Sequence, residues 1–283
     1  MYVHILDGAV CSKIIRAEIA TQTGLLARKP GLAVVLVGED PASQVYVRNK
    51  AKAASDAGIR SIVDILPATA TEEFLLELIH GHNADPTIDG YIVQLPLPPH
   101  INAEKIVGAI DPEKDVDGFH PENQGLLWRG TPRFIPATPR GIIELLDRNQ
   151  LSTRGKRVVI LGRSAIVGKP LAGALLMKGA LGDATVTVAH SQSSNLPRLC
   201  READILIAAL GQAHFVTKNF VRPGAIVIDV GINKIDGKLC GDVDFEKVKR
   251  IASAITPVPG GIGPMTIAML LQNTLEAAKR RTV

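Results

Sequence analysis

Two groups of residues in this chain have the types and spacing to act on a bound ligand. The first lies between Lys156 and Pro170, where the apolar run Val158, Val159, Ile160, Leu161 stops at Gly162 and an apolar helix pattern resumes after Pro170. A buried strand, a tight glycine turn and a helix start point backbone N–H groups outward at the positive end of a helix dipole, which suits a pyrophosphate. The usual dinucleotide fingerprint is G-x-G-x-x-G; Ser164 holds the middle glycine position and Gly168 the last. Arg163, just after the first glycine, lies where an adenosine 2′-phosphate would sit, and an acid there would instead suit a free hydroxyl. A solvated turn is the plain alternative for an arginine; in this context it points to NADP. The next β-like run ends in His190 and Ser191, which could add polar contacts to the same phosphate.

The second group lies in the first half of the chain. Tyr46 and Lys50 are four residues apart on an expected helix, so they share a face, as any helix surface pair would. Gln94 ends a buried strand, where ligand-facing residues of α/β sheets collect; its plain alternative is an amide satisfying a loop backbone. The turn from Asp111 to Gly118 is dense in acids but lacks the spacing and closing glutamate of an EF-hand, so no metal is expected. Asp117, backed by Gly118, could instead present a carboxylate to a ligand edge with two N–H donors.

The elements that position these residues alternate between strand and helix. A helix over about 8–27 leads to a strand at 32–37. Asp40 and Pro41 then open the helix carrying Tyr46 and Lys50, which ends near Gly58. Strands follow at 61–66 and 89–95, with a capped helix from Thr71 to about His82 between them. The proline-rich stretch 131–139 reads as a linker. Beyond it come a helix from Arg140, strands at 157–161, 184–189, 204–209 and 225–230, and a last helix, 265–279, with Ile267, Leu270, Leu271, Leu275 and Ala278 at helical spacing. Alternation of this kind implies parallel sheets covered on both faces, in two α/β domains.

Composition narrows the class. At 283 residues the chain can hold two cores; it is 46% hydrophobic and 21% charged, with net charge +4. Lys and Arg are scattered and aromatics are 4%, unlike a nucleic-acid surface. Cys11, Cys200 and Cys240 are far apart and outside metal spacing, as expected of reduced structural thiols. Asp7, Lys13, Arg16 and Glu18 interrupt the first apolar pattern, unlike a signal peptide, and no apolar run approaches the roughly 20 residues of a membrane span. A cytoplasmic protein is expected, with no membrane or nucleic-acid partner.

Six segments, in order, make a closer match. They are Asp40–Lys50, Val93–Pro98, Lys114–Phe119, Gly162–Pro170, Val227–Asn233 and Thr256–Thr266. With them the chain resembles the bifunctional methylenetetrahydrofolate dehydrogenase/methenyltetrahydrofolate cyclohydrolase family over nearly its whole length. The resemblance implies a Rossmann-type NADP domain over 137–264. It also implies a parallel-sheet folate-binding catalytic domain over 1–136 and 265–283, with the C-terminal helix returning to that first domain. Substrate is then expected in the cleft between the domains, in a homodimer serving one-carbon metabolism and purine biosynthesis. The implied catalytic residues are Lys50, Tyr46 and Gln94, with Asp117, Pro259, Gly260 and Gly261 for substrate. Cofactor binding falls to Gly162, Arg163, Ser164, Ile166, Val167 and Gly168, then to His190, Ser191, Gly211, Gly231 and Ile232.

The implied chemistry is NADP-dependent oxidation of 5,10-methylenetetrahydrofolate to the methenyl cation, then hydrolysis to 10-formyltetrahydrofolate. Gln94 cannot titrate and Asp117 is needed to anchor the pterin, so Lys50 is the expected proton carrier. Two departures from the family pattern stand out: a longer turn at 178–183, and Ser193 where threonine is more usual. Two other readings stay open. A shikimate-type NADP dehydrogenase would need its Lys/Asp dyad in another context, and a cofactor-sensing protein would have lost Lys50 or Gln94.

Overall fold

The computed structural model describes residues 3–179 and 182–281. The chain divides into two compact units. It opens with a short strand, β1 (His4–Ile5), and helix α1 (Gly8–Thr23). One unit, made of 13–137 and the chain from Ile267 on, is built around a three-stranded parallel sheet. Its central strand, β2 (Gly31–Val37), is buried at all seven positions, as a continuous apolar run should be when helices cover both faces. It pairs with β3 (Arg60–Leu66) from Gly31↔Arg60 onward, and with β4 (Gly90–Val93) from Leu32↔Gly90 to Val35↔Val93.

Helix α2 (Pro41–Asp56) joins β2 to β3. Asp40 caps it by accepting the Ser43 N–H at 2.7 Å, and Pro41 takes the first turn, where a missing N–H costs nothing. Helix α3 (Glu72–Ala84) is capped by Thr71, which accepts from Phe74 N, and carries Glu72 and Glu73 in its first turn. Two short helices, α4 (Ala103–Ala109) and α5 (Pro121–Trp128), follow. Strand β4 is shorter than the expected 89–95, which leaves Gln94 just beyond its end.

The other unit comprises the chain up to Ser12 together with Thr138–Thr266. The expected folate-binding domain takes in the whole of 1–136 together with 265–283. In the structure the first residues belong elsewhere, because β1 pairs with a strand near residue 254. The expected linker over 131–139 is also shorter: α6 (Ala137–Arg148) takes Pro139 into its first turn, where proline is tolerated. Then follow β5 (Arg157–Leu161), α7 (Gly168–Leu176), β6 (Thr185–Ala189), α8 (Leu196–Cys200), β7 (Ile205–Ala208) and β8 (Ile226–Asp229). A hairpin of β9 (Asn233–Ile235) and β10 (Lys238–Cys240) precedes α9 (Phe245–Val248), β11 (Ala254–Ile255) and α10 (Ile262–Arg281).

The six-stranded sheet runs β1-β11-β8-β7-β5-β6, parallel throughout. The chain places β6 on one side of β5 and β7 on the other, so the direction of winding reverses at β5. In open α/β sheets the carboxyl end of such a strand opens a ligand crevice. The expected helix from 265 starts earlier, at Ile262. From Ile267 on α10 belongs to the three-stranded unit, where Asn273 donates to Val116 O (2.8 Å) and Ile135 O (3.0 Å). In the longer turn expected at 178–183, Ala180 and Leu181 lie outside the described residues. The flanking Asp183 N–H donates to Met177 O at 2.8 Å.

Candidate active site

Tyr46 and Lys50 stand one turn apart on α2, whose preceding strand β2 lies beside β4 and therefore beside Gln94. The Lys50 Nζ donates to Gln94 Oε1 at 3.0 Å and sits 4.6 Å from the centroid of the Tyr46 ring. Gln94 Nε2 donates in turn to Leu95 O at 2.8 Å, which fixes the amide with its oxygen toward the lysine. Lys50 is only 5% exposed. Burial disfavours its charged form and lowers its pKa, while the charge of Asp117 pulls the other way. The helix-surface alternative for this pair is thereby replaced by a buried amine with a neutral acceptor.

Asp117 is placed by the segment before it. Asp115 forms a parallel bridge with Tyr91 of β4, and Tyr91 N donates to Lys114 O at 2.9 Å, so this segment runs alongside the sheet. The Lys114 ammonium anchors the turn by donating to the carbonyls of His82, Asn83 and Asp85, each at 2.8 Å, at the end of α3. Asp115 is held by the N–H of His120 (2.7 Å) and the amide of Asn123 (2.8 Å). Desolvation pushes the half-buried Asp117 carboxyl up to about 6, against the pull of the Lys50 charge. The four side chains form one electrostatic cluster in a single unit.

The glycine loop gathers the residues around 162–168 in the other unit. Gly162 follows β5 with φ +122°, and a Cβ on it would overlap Ala209 O; a Cβ on Gly168 would overlap Gly162 O. Those two positions need glycine so that strand, turn and α7 can approach one another. Ser164 fills the middle position differently. Its hydroxyl accepts from Val167 N (3.2 Å) and Gly168 N (3.4 Å) and so holds the turn that starts α7. Arg163 and Ile166 are exposed on this turn. Leu161 pairs with Ala189, so His190 and Ser191 leave β6 at the same end of the sheet. Ser193 supplies the hydroxyl expected of a threonine there: it accepts from His190 N at 3.1 Å.

Gly211 and Gly231 follow β7 and β8 at that end too. The Gly211 N–H is held by Asp242 and the Gly231 N–H by Asp229, two acids the sequence reading did not select. Their signal was an acid ending the apolar run 225–229 and a Gly-Asp pair at 241–242. Ile232 is 61% exposed. Pro259, Gly260 and Gly261 form a turn in this unit, tied to α1 by Ala9 N donating to Gly260 O at 2.9 Å. A tight glycine turn at a helix of nine residues, an exposed cation beside it and four loops at the carboxyl end of one parallel sheet fit a phosphorylated dinucleotide.

Residues 6–117 match the family model for the tetrahydrofolate dehydrogenase/cyclohydrolase catalytic domain, and residues 136–282 match that for the NAD(P)-binding domain of the same enzymes. The chain belongs to the tetrahydrofolate dehydrogenase/cyclohydrolase family. A bifunctional protein FolD of Desulfovibrio desulfuricans is 55% identical over 282 residues, covering 98% of this chain and 99% of that one. The crystal structure of the FolD methylenetetrahydrofolate dehydrogenase/cyclohydrolase from Campylobacter jejuni superposes with a TM-score of 0.95, at 46% identity and 99% coverage of both chains. A Trypanosoma brucei member of the family, solved with NADP cofactor and inhibitor, gives 0.93 at 40% identity, covering 99% of this chain and 98% of that one. This membership removes the shikimate-type reading.

Proposed function

We infer that this chain oxidises 5,10-methylenetetrahydrofolate to 5,10-methenyltetrahydrofolate with NADP and hydrolyses the product to 10-formyltetrahydrofolate. The observation that carries the reading is the buried Lys50 amine, bonded to Gln94, stacked on Tyr46 and coupled to Asp117. NADP, when bound, supplies the hydride acceptor. The folate nitrogen lone pairs stabilise the cation left behind, so the oxidation needs alignment rather than a strong base. Alignment of this kind is worth up to about 7–11 kcal/mol in ideal intramolecular systems.

We assign the proton work of the hydrolysis to Lys50. As water attacks the bridging carbon, the neutral amine takes its proton. The ammonium then protonates N5 as the carbon–N5 bond breaks, the new hydroxyl loses its proton to solvent, and the formyl group stays on N10. One proton leaves per turnover. A lysine at the usual value of about 10.4 would rarely be neutral at pH 7. Burial moves Lys50 in the required direction. Gln94 orients the amine, Tyr46 packs against the substrate, and Asp117 anchors the pterin amino edge through a charge-assisted pair of hydrogen bonds. Pro259, Gly260 and Gly261 complete the substrate contacts.

We assign NADP to the six-stranded unit: the glycine loop with Ile166 and Val167 for the pyrophosphate, Arg163 with His190 and Ser191 for the 2′-phosphate, and the turns at Gly211, Gly231 and Ile232 for the rest. We further propose a cytoplasmic homodimer whose formyl product serves purine synthesis. Exposed Val63 (37%) and Ile65 (63%) on the edge strand β3 support self-association. Among the described residues no helix is long and apolar enough to cross a membrane. The deciding experiment follows near-ultraviolet absorbance with methylenetetrahydrofolate, with NADP and NAD in parallel. Turnover with NADP and continuous loss of the methenyl species support both activities; methenyl accumulation would remove the hydrolysis, and no turnover would remove both.

A further inference from the structure

Two buried carboxylates meet behind the loops that follow β7 and β8. Asp229 is the last residue of β8 and is 3% exposed; Asp242 lies just beyond β10 and is fully buried. Asp242 Oδ2 accepts the backbone N–H of Leu210 (2.6 Å) and Gly211 (3.0 Å). Its Oδ1 accepts from Gln212 N (2.8 Å) and the side-chain amide of Asn233 (2.9 Å). A carboxylate offers about four acceptor sites, and these four donors use them all. Asp229 accepts from the N–H of Gly231 (3.0 Å), Asp242 (2.9 Å) and Val243 (2.9 Å), while its own N–H donates to Thr256 Oγ1 at 2.7 Å.

The two acids interlock through glycines. A Cβ on Gly231 would fall on the Asp242 carboxylate, and a Cβ on Gly241 would fall on that of Asp229. Each acid fills the space left by the glycine of the other segment, so 229–233 and 241–243 close on each other like a clasp. The loop after β7 is hung on the same side chain. Its N–H groups turn inward to Asp242, and its other side is open: a Cβ on Gly211 would meet nothing within 4 Å. Across the clasp Ile232 stands exposed. Burial, with the charge of Asp242 adding to it, pushes the Asp229 carboxyl up to about 6, a penalty that neutral turn residues would not carry.

We propose that Asp242 is a positioning residue for NADP: one carboxylate sets the separation of the Gly211 loop from the Gly231–Ile232 loop, and with it the affinity for the cofactor. The inference rests on the assignment of these loops to the cofactor. A tie of this kind works without touching the ligand, as when outer partners orient the groups that bind.

The test is calorimetric titration of NADP into Asp242→Asn, Asn233→Ala and Gly211→Ala, alongside the KM for methylenetetrahydrofolate in each. Asp242→Asn replaces one acceptor oxygen by an amide that faces two N–H donors. Its Kd for NADP is expected to rise at least tenfold while the folate KM moves less than twofold, a split that general loosening of the fold would not produce. Asn233→Ala removes one of the four donors, and a rise of about threefold is expected. If Asp242→Asn does not fold, Asn233→Ala decides alone: a rise supports the role, and an unchanged Kd overturns it. Gly211→Ala separates the two ideas. A tenfold loss there with none at Asp242→Asn overturns the role of Asp242 alone. No loss at Gly211 removes the loop from the cofactor site, and the inference falls with it.

Discussion

A group that both takes and returns a proton must reach its amine and ammonium forms at one working pH. Burial moves Lys50, the carrier assigned above, in that direction, and Gln94 gives its ammonium a neutral partner that does not lock the charge in place as a contacting carboxylate would. Replacing Lys50 with Met keeps the bulk and removes the proton. Hydrolysis of the methenyl cation should then stop; a variant that still made formyl product at the normal rate would take Lys50 out of the mechanism. Asp117 sets a pH limit of its own. Burial pushes its carboxyl up to about 6, so the ionised form assigned above to the pterin would be lost as pH falls through that value. The kcat/KM for methylenetetrahydrofolate should fall below pH about 6, and Asp117→Asn should lose that inflection along with most of the rate. At the cofactor, Arg163→Ala should weaken NADP by roughly 1.5–3 kcal/mol, the worth of a charged hydrogen bond, and leave NAD almost unchanged. Equal losses for both would show that Arg163 does not read the 2′-phosphate.

Lys50 is only as well placed as the helix that bears it. The Asp40 cap fixes where α2 begins and so the angle at which Tyr46 and Lys50 meet Gln94. Asp40→Ala should cost about 1 kcal/mol, read as a fall of roughly 2–4 °C in the melting temperature of the unit. That cap, the buried run of β2, the glycine turn at 162 and the stripe of α10 were all legible in the sequence, because each is a local pattern of residue types. What was not legible depends on partners distant in the chain. Two-residue strands such as β1 and β11 carry no pattern and exist only because each has a neighbour to pair with. Asp242 could not be singled out because its four donors come from two loops, 9 to 32 residues away. Lys50 and Gln94 are 44 residues apart, and without the family motifs nothing in their spacing says that they touch.

At the scale of the molecule, self-association should follow the exposed apolar edge of β3. Light scattering of the purified protein should give twice the chain mass, and Ile65→Lys should shift it toward the monomer; a monomeric parent would end that assignment. The division of the chain also has a consequence for its synthesis. The three-stranded unit is interrupted after Ala137 and resumes only at Ile267. Val116 O waits 157 residues for the Asn273 amide that satisfies it. A ribosome therefore releases every residue of the cofactor unit before it has made the helix that finishes the catalytic one. The dinucleotide half can mature first, and the three-stranded unit is completed last, when α10 supplies its remaining residues.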